Sequence, residues 1–209
     1  VMLFQNRRGF APWVECTQCG WVAHCPRCSV TLTYHKLGDR MKCHLCGYSS
    51  ALPAACPRCG TPAPGLMGFG TEKVEEEVAS LFPTARILRL DRDTAASPAR
   101  YERIVADFGR GEADVLVGTQ MVTKGFDFPK LGLVGILHAD NLLNYPDSRA
   151  PERAYQTMTQ VAGRAGRTDA GGEVVIQTMQ PDHPVLRQVQ SFDYEGMGGW
   201  QKGGRSAFG

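Results

Sequence analysis

All eight cysteines of this 209-residue chain fall between Cys16 and Cys59, in four Cys-x-x-Cys knuckles: Cys16/Cys19, Cys25/Cys28, Cys43/Cys46 and Cys56/Cys59. Two thiolates three positions apart can reach one tetrahedral metal while the loop backbone donates hydrogen bonds to sulfur, so four knuckles make two four-cysteine zinc sites. The rivals are disulfides, iron–sulfur clusters and buried free thiols. Disulfides need an oxidising compartment, and the first residues lack the basic-then-apolar layout of a signal peptide. Free thiols in such regular pairs would be a coincidence. Two Zn2+ per chain are the expectation.

The spacing also says which knuckles share a metal. Five residues separate Cys19 from Cys25, a short tether for two knuckles that must approach one ion from opposite sides. The stretch from Ser29 to Lys42 alternates in polarity around Gly38-Asp39 and reads as a β-hairpin, which brings its two ends together. Cys25, Cys28, Cys43 and Cys46 are therefore expected on one zinc, and Cys16, Cys19, Cys56 and Cys59 on the other. With both sites filled by cysteine, His24, His35 and His44 are read as surface or hairpin residues. Trp13, Trp21, Tyr34 and Tyr48 suit either the core of so small a module or stacking on exposed bases, and core is the favoured reading.

A net charge of +2 hides an uneven split. Residues 1–60 carry seven Lys/Arg against Glu15 and Asp39, a sum of +5, so the remainder sums to −3. A basic module joined to a slightly acidic one is compatible with nucleic-acid contact through the first. No run approaches the roughly eighteen apolar residues of a membrane span, and a cytoplasmic protein with no membrane contact is expected.

Beyond the cysteines the pattern changes. Pro62-Ala63-Pro64-Gly65 reads as a linker. Thr71 is placed as the cap of a helix with Glu72, Glu75, Glu76 and Glu77 in its first turns, an apolar face of Val74, Val78, Leu81 and Phe82, and a stop at Pro83. Ile87 to Leu90 reads as a strand, and Ser97-Pro98 opens a helix whose face is Tyr101, Ile104, Val105 and Phe108. Strands Asp114 to Val117, Leu133 to Leu137 and Gly172 to Thr178 alternate with a helix from Pro151 to Ala162. Alternating strands and helices predict an α/β fold with a parallel sheet covered on both faces.

Two stretches carry chemistry. The loop Gly118-Thr119-Gln120-Met121-Val122-Thr123-Lys124-Gly125-Phe126-Asp127 follows a strand's C-terminal end, where open α/β sheets place ligands. Gln160-Val161-Ala162-Gly163-Arg164-Ala165-Gly166-Arg167 puts two guanidiniums at a glycine-broken helix end, a pattern suited to phosphate oxygens. Taken alone it reads equally as a basic helix terminus. Together, Thr119 to Asp127 resembles motif V and Gln160 to Arg167 resembles motif VI of superfamily 2 helicases, with wording similar to the bacterial replication-restart helicases. Gly68-Phe69-Gly70-Thr71-Glu72 and Asn6-Arg7-Arg8-Gly9 resemble segments of the same family, which also has a Cys-rich insertion with nested pairing.

The resemblance implies a RecA-like helicase lobe 2 with a two-zinc insertion: residues 1–12 as the start of the lobe, 13–62 as the zinc module, 63–190 as the RecA-like C-terminal lobe and 191–209 as a disordered tail. It implies ATP with Mg2+ bound between this lobe and another. No Gly-x-x-x-x-Gly-Lys-Ser/Thr and no Asp-Glu pair occur here, so this is one lobe of a motor, inactive alone. Arg167 would be the arginine finger, Arg164 a γ-phosphate contact and Gln160 its neighbour. Thr119, Gln120 and Lys124 would hold the DNA backbone, with Gly125 and Asp127 coupling that grip to the nucleotide. Asp140 would make a lobe or DNA-side contact. The implied activity is an ATP-dependent 3′ to 5′ DNA helicase that restarts stalled forks and assembles the primosome, a monomer whose partners are branched and single-stranded DNA, single-strand binding protein and primosome components. The alternative is a non-catalytic zinc scaffold recruiting those proteins, which has no need of Gln160, Arg164 and Arg167.

Overall fold

The computed structural model describes residues 1–7, 9, 11–28, 30–123, 128–144, 149–165 and 172–191. Strand β1 (Met2–Gln5) opens the chain, and its partner lies more than a hundred residues downstream. The chain divides into two compact units, one of Arg7–Thr119 and one of Val1–Asn6 with the chain from Gln120 onward.

The first of these units begins with β2 (Trp13–Glu15). A three-stranded antiparallel sheet follows: β3 (Thr33–His35), β4 (Arg40–Lys42) and β5 (Ser49–Ala51), with Tyr34 opposite Met41 and Met41 opposite Ser50. The expected hairpin is its first two strands, turning at Gly38-Asp39. The expected linker is not one. Gly65 starts β6 (Gly65–Met67), antiparallel to β2 with Val14 opposite Leu66, so incoming and outgoing chain are hydrogen-bonded at the base of the cysteine module. Val14, Leu32, Tyr34 and Met41 form the module's core, with Trp21 and Tyr48 packed against it. These aromatics are structural here, as favoured from sequence.

Helix α1 (Thr71–Leu81), β7 (Ile87–Leu90), α2 (Pro98–Gly109) and β8 (Val115–Gly118) complete the unit, with β7 and β8 parallel and Leu88 opposite Leu116. Ser97 caps α2 by accepting from the Arg100 N–H, as its sequence position predicts. Helix α1 departs from expectation twice. Gly70 is its N-cap, while Thr71 is the first helical residue and spends its hydroxyl on Asp91. Its apolar face is also short: Val74 is buried, whereas Leu81 and Phe82 are 73% and 60% exposed. The helix instead buries Glu72, because polar partners wait for it.

In the second unit, the turn Gln120–Thr123 leads to β9 (Leu133–Leu137), which lies between β1 and a later strand. Short helix α3 (Asp140–Leu143), α4 (Ala150–Ala162), β10 (Glu173–Ile176) and α5 (Pro184–Ser191) follow. All pairings are parallel, with Leu3 opposite Gly135 and Val175 opposite Gly135 on the other side. Met2, Phe4, Val134 and Ile136 are fully buried, as strands covered on both faces must be. Helix α4 presents Ala154, Tyr155, Met158 and Val161 to the core and packs on β9, α3 and α5. The alternating parallel α/β class read from the sequence is the fold found. Ser191, expected to open the tail, is the last residue of α5, and the rest of that tail lies outside the described residues.

Candidate functional site

The eight sulfurs gather in two sets, Cys16/Cys19/Cys56/Cys59 and Cys25/Cys28/Cys43/Cys46, with ligand atoms in each set within 4.8 Å of one another. This is the nested arrangement that the hairpin argument predicted. Sγ–Sγ distances of 3.6 Å (Cys16–Cys59 and Cys25–Cys46) and 3.7 Å (Cys19–Cys56) are far from a disulfide bond. They match the edge of about 3.8 Å that a tetrahedron with ~2.3 Å zinc–sulfur bonds requires. The donor set and its shape fit two zinc ions.

One local design is used four times. The N–H of the first cysteine donates to the carbonyl five residues on: Cys16 to Trp21, Cys25 to Val30, Cys43 to Tyr48 and Cys56 to Thr61, at 2.7–2.9 Å. In three knuckles a glycine follows the second cysteine, and Gly20, Gly47 and Gly60 have φ of 68°, 75° and 75°. That left-handed conformation suits glycine, and it lets the glycine N–H reach back to the carbonyl of the first cysteine. Backbone N–H groups also point at sulfur, from Arg27 to Cys25 and from Arg58 to Cys56, both at 3.4 Å. These bonds favour thiolate. The Thr61 hydroxyl and amide hold Cys59 down to about 6, and the Cys46 and Leu45 amides hold Cys43 at about 7. Burial instead pushes Cys19 up to about 12, and a hydrogen bond with Cys46, with burial, does the same to Cys28. A divalent cation is what would ionise all four thiols of a set together.

A second polar cluster was not read from the sequence. His35, expected at the surface or in the hairpin, ends the hairpin strand β3 and is 3% exposed. Its Nδ1 lies 3.1 Å from Glu72 Oε1 and its Nε2 lies 3.2 Å from His44 Nε2, so a knuckle residue, the hairpin and α1 are joined in one chain of contacts. Glu72 also accepts from the Lys36 N–H at 3.0 Å and faces Arg89 at 3.4 Å. Arg89 lies within 3.6 Å of Glu75 and Asp91 as well, and fully buried Asp91 accepts from Thr71 at 2.6 Å. The start of α1 donates Thr71 N–H to Arg7 O and Glu72 N–H to Gly9 O. Gly9 must be glycine: its φ is 79°, and a Cβ there would meet Thr33 Cγ2 at 2.7 Å and Tyr34 O at 2.8 Å. The two short motifs singled out in the sequence, around Arg7 and around Thr71, thus dock on each other. The signal that could have found this was two carboxylates at the start of a helix with too few apolar positions to bury it.

The third site lies in the other unit. The turn Gln120–Thr123 packs on α4, and Arg164, two residues past the end of that helix, donates from Nη2 to the Thr123 carbonyl. Gln160 and Thr123 line one cleft of about 290 Å3 together with Gln120 and Arg153. Gln120 donates to Asn6 Oδ1 at 3.4 Å. So Gln120, Gln160 and Arg164, predicted separately, are brought to one place. Thr119 is buried, and its N–H donates to Leu90 O. Lys124, Gly125, Asp127 and Arg167, named from sequence, lie outside the described residues. Asp140 holds the chain after β10 in place, because its carboxylate accepts from the Thr178 hydroxyl, the Met179 N–H and the Gln180 amide at 3.0–3.1 Å. Although burial opposes it, these donors hold Asp140 below the ordinary carboxylate range.

A parallel α/β lobe that couples a strand-end turn to an arginine-bearing helix, and carries a two-site cysteine ribbon, has the architecture of a helicase C-terminal lobe. Residues 70–169 match the helicase conserved C-terminal domain, and residues 25–50 match the PriA DNA helicase Cys-rich region (CRR) domain. Over 93% of its length the chain is similar to proteins of the PriA family. It is 45% identical over 195 residues to replication restart protein PriA of Bacillus subtilis, covering 93% of this chain and 24% of that protein. To PriA of Haemophilus influenzae it is 44% identical over 195 residues, 93% of this chain and 27% of the relative. To PriA of Treponema pallidum it is 47% identical over 194 residues, 93% and 29% respectively. The chain spans about a quarter of the length of these relatives. Among the described residues, no helix is long and apolar enough to cross a membrane.

Proposed function

We propose that this chain is the second motor lobe, with its zinc module, of an ATP-dependent 3′ to 5′ DNA helicase that restarts stalled replication forks. The observation that carries the reading is the junction of motifs V and VI, where Arg164 holds the carbonyl of Thr123 while Gln160 faces the same cleft as Gln120. A DNA-facing turn and a phosphate-facing helix end that share a hydrogen bond can pass a displacement from one ligand to the other. Magnesium-bound ATP supplies the phosphoryl group whose transfer drives such displacements. Arg164 and Arg167 are the residues that would face its phosphates, where fixed guanidiniums stabilise developing charge. Gln160 lies beside them, and Gly125 and Asp127 join the nucleotide to the DNA grip of Thr119, Gln120 and Lys124.

The partners of this reading are single-stranded and branched DNA, with single-strand binding protein and primosome components as protein contacts of a monomeric enzyme. The zinc module aids both kinds of binding. The test is Arg164→Ala in the full-length protein containing both lobes. DNA-stimulated ATP hydrolysis should fall by about 100-fold to 1,000-fold, as expected for loss of one preorganised charge contact, with ATP binding kept. Unchanged turnover would remove Arg164 from the nucleotide site.

A further inference from the structure

The inner cysteine set (Cys25, Cys28, Cys43, Cys46) and the outer set (Cys16, Cys19, Cys56, Cys59) offer the same ligands, but differ in what else holds their knuckles. Cys25, Cys28 and Cys43 belong to the module's apolar core, and Val30 and Tyr48, whose carbonyls accept from the Cys25 and Cys43 N–H groups, pack on that core as well. The third knuckle is also tied sideways, because His44 meets His35 and His35 meets Glu72. An ion in the inner set therefore joins two knuckles that the fold already fixes.

In the outer set the first knuckle is fixed in the same way. Trp21, which accepts from the Cys16 N–H, packs on the core, and Ala23 donates to Val14 in β2. The fourth knuckle is not. From Ala54 to Ala63 the one buried residue is Cys56, and none of the stretch belongs to the core cluster. Its hydrogen bonds close on themselves, from Cys56 to Thr61, Gly60 to Cys56, Ala63 to Ala54, and the Arg58 N–H to Cys56 Sγ. Ala55 and Pro62 pair across its neck. Among the described residues, the polar contacts that leave it are Arg58 Nη1 to the Cys19 carbonyl at 3.4 Å and those of its sulfurs with Cys16 and Cys19. Chain on either side is anchored, by Leu52 against the core after β5 and by buried Pro64 before β6. Pro57 and Pro62 stiffen the knuckle, so it moves as one piece.

We infer that the outer set is an exchangeable zinc clasp, in which the ion is the main attachment of residues 54–63 and its loss releases that knuckle while the inner set stays closed. A metal leaves a four-thiolate site once a knuckle has opened, and the apolar surface and hydrogen bonds broken in opening set how often that happens. Opening the fourth knuckle uncovers Cys56 and Cys16, 3% and 1% exposed, and takes no large apolar side chain out of the core. Opening an inner knuckle carries Val30 or Tyr48 out as well, and losing a side chain of that size from a core makes opening about tenfold harder. The clasp is independent of the motor reading, which stands whichever way the test falls.

The test is release of zinc from the loaded chain into excess EDTA, counted by metal mass spectrometry on desalted samples. Samples taken as the first ion leaves are labelled with N-ethylmaleimide, and peptide mass spectrometry locates the labels. One zinc per chain should leave about tenfold faster than the other, and the first labels should fall on Cys16, Cys19, Cys56 and Cys59. Arg58→Ala removes the hydrogen bond from the fourth knuckle to the first without touching a ligand, and should quicken the fast phase about twofold to fivefold while leaving the slow phase unchanged. Release of both ions in a single phase, first labels on Cys25, Cys28, Cys43 and Cys46, or an Arg58→Ala effect confined to the slow phase would each overturn the inference.

Discussion

The buried contacts of Glu72 allow a stability prediction to be worked from the structure. Replacing Glu72 by alanine removes the carboxylate facing Arg89 Nη1, while Nε keeps Glu75 at 3.2 Å and Asp91 at 3.6 Å. It also removes the acceptor of two donors: His35 Nδ1, in a residue 3% exposed whose next carboxylate, Asp93, lies 3.8 Å away, and the Lys36 N–H. A buried donor left without its acceptor costs about 1–3 kcal/mol, so the pair should cost roughly 2–6 kcal/mol. Glu76, on the same helix, is the internal control. It pairs with Lys36 Nζ at 2.7 Å, but both side chains are about half exposed, and such pairs contribute at most about 1 kcal/mol. With a urea slope of about 2 kcal/mol per M, Glu72→Ala should lower the unfolding midpoint by about 1–3 M and Glu76→Ala by less than about 0.5 M. Tryptophan fluorescence follows this, since Trp13 and Trp21 lie in the module above Glu72. Equal midpoints for the two variants would refute the reasoning.

The same group fixes a pH dependence. Burial pushes the Glu72 carboxyl up, but the His35 and Lys36 hydrogen bonds and the nearby Arg89 charge outweigh it and leave it below its ordinary 4.5. A carboxylate lowered on folding contributes stability above its unfolded value and loses it as pH falls through the folded one. The gap between the parent chain and Glu72→Ala should therefore be constant from neutral pH down to about 5 and close below that. Glu75 runs the other way, raised by burial with Asp91 and Glu72 nearby, so its ionised form opposes folding.

Three further outcomes are expected. Replacing Cys25 and Cys28 by serine should remove about one zinc per chain by mass spectrometry, and Cys56 with Cys59 the other; loss of both ions from either double variant would contradict independent sites. Thr71→Val keeps the shape but removes the hydroxyl that donates to fully buried Asp91, and should cost about 1.5–3 kcal/mol in urea unfolding. Asp140→Ala removes the acceptor for three donors from the stretch after β10, and should expose the Met179 N–H to faster hydrogen exchange.

The parts legible in the sequence are those set by neighbours in the chain. The knuckles, the hairpin at Gly38-Asp39, the Ser97 cap and strand Leu133–Leu137 each carry their own spacing or turn chemistry. Strand β1 does not, because four residues without flanking turn signals pair with a strand some 130 positions away. The link between Gly65 and Glu15 is hidden for the same reason, and its prolines read as a spacer. Helix α1 misleads more instructively. Its acidic first turn reads as a match to the helix dipole, when Glu72 is there to meet His35 and Arg89, and the apolar positions expected to face the core, Leu81 and Phe82, do not. At the candidate site, periodic apolar residues dominate the pattern of α4, and the polar stripe at the complementary spacing carries no separate signal.

Metal loading changes what the basic module can do. The +5 of residues 1–60 counts thiols as neutral. Eight thiolates against two divalent ions remove four charges, leaving +1, so a loaded module is nearly neutral and cannot draw in DNA by net charge. Its contribution must come from where individual cations sit, such as Arg27, held 5.8 Å over the ring of Tyr48. The cleft between the turn Gln120–Thr123 and α4 takes no residue from this stretch. Chelation at pH 7 should return the module to +5, because a free thiol ionises near about 8.5. We therefore expect a chelated chain to bind single-stranded DNA within about twofold of the loaded chain at 0.1 M salt, with a salt slope no shallower. A loss of about tenfold or more on chelation would mean that the folded module, not the cleft beside α4, makes the principal contact with the strand.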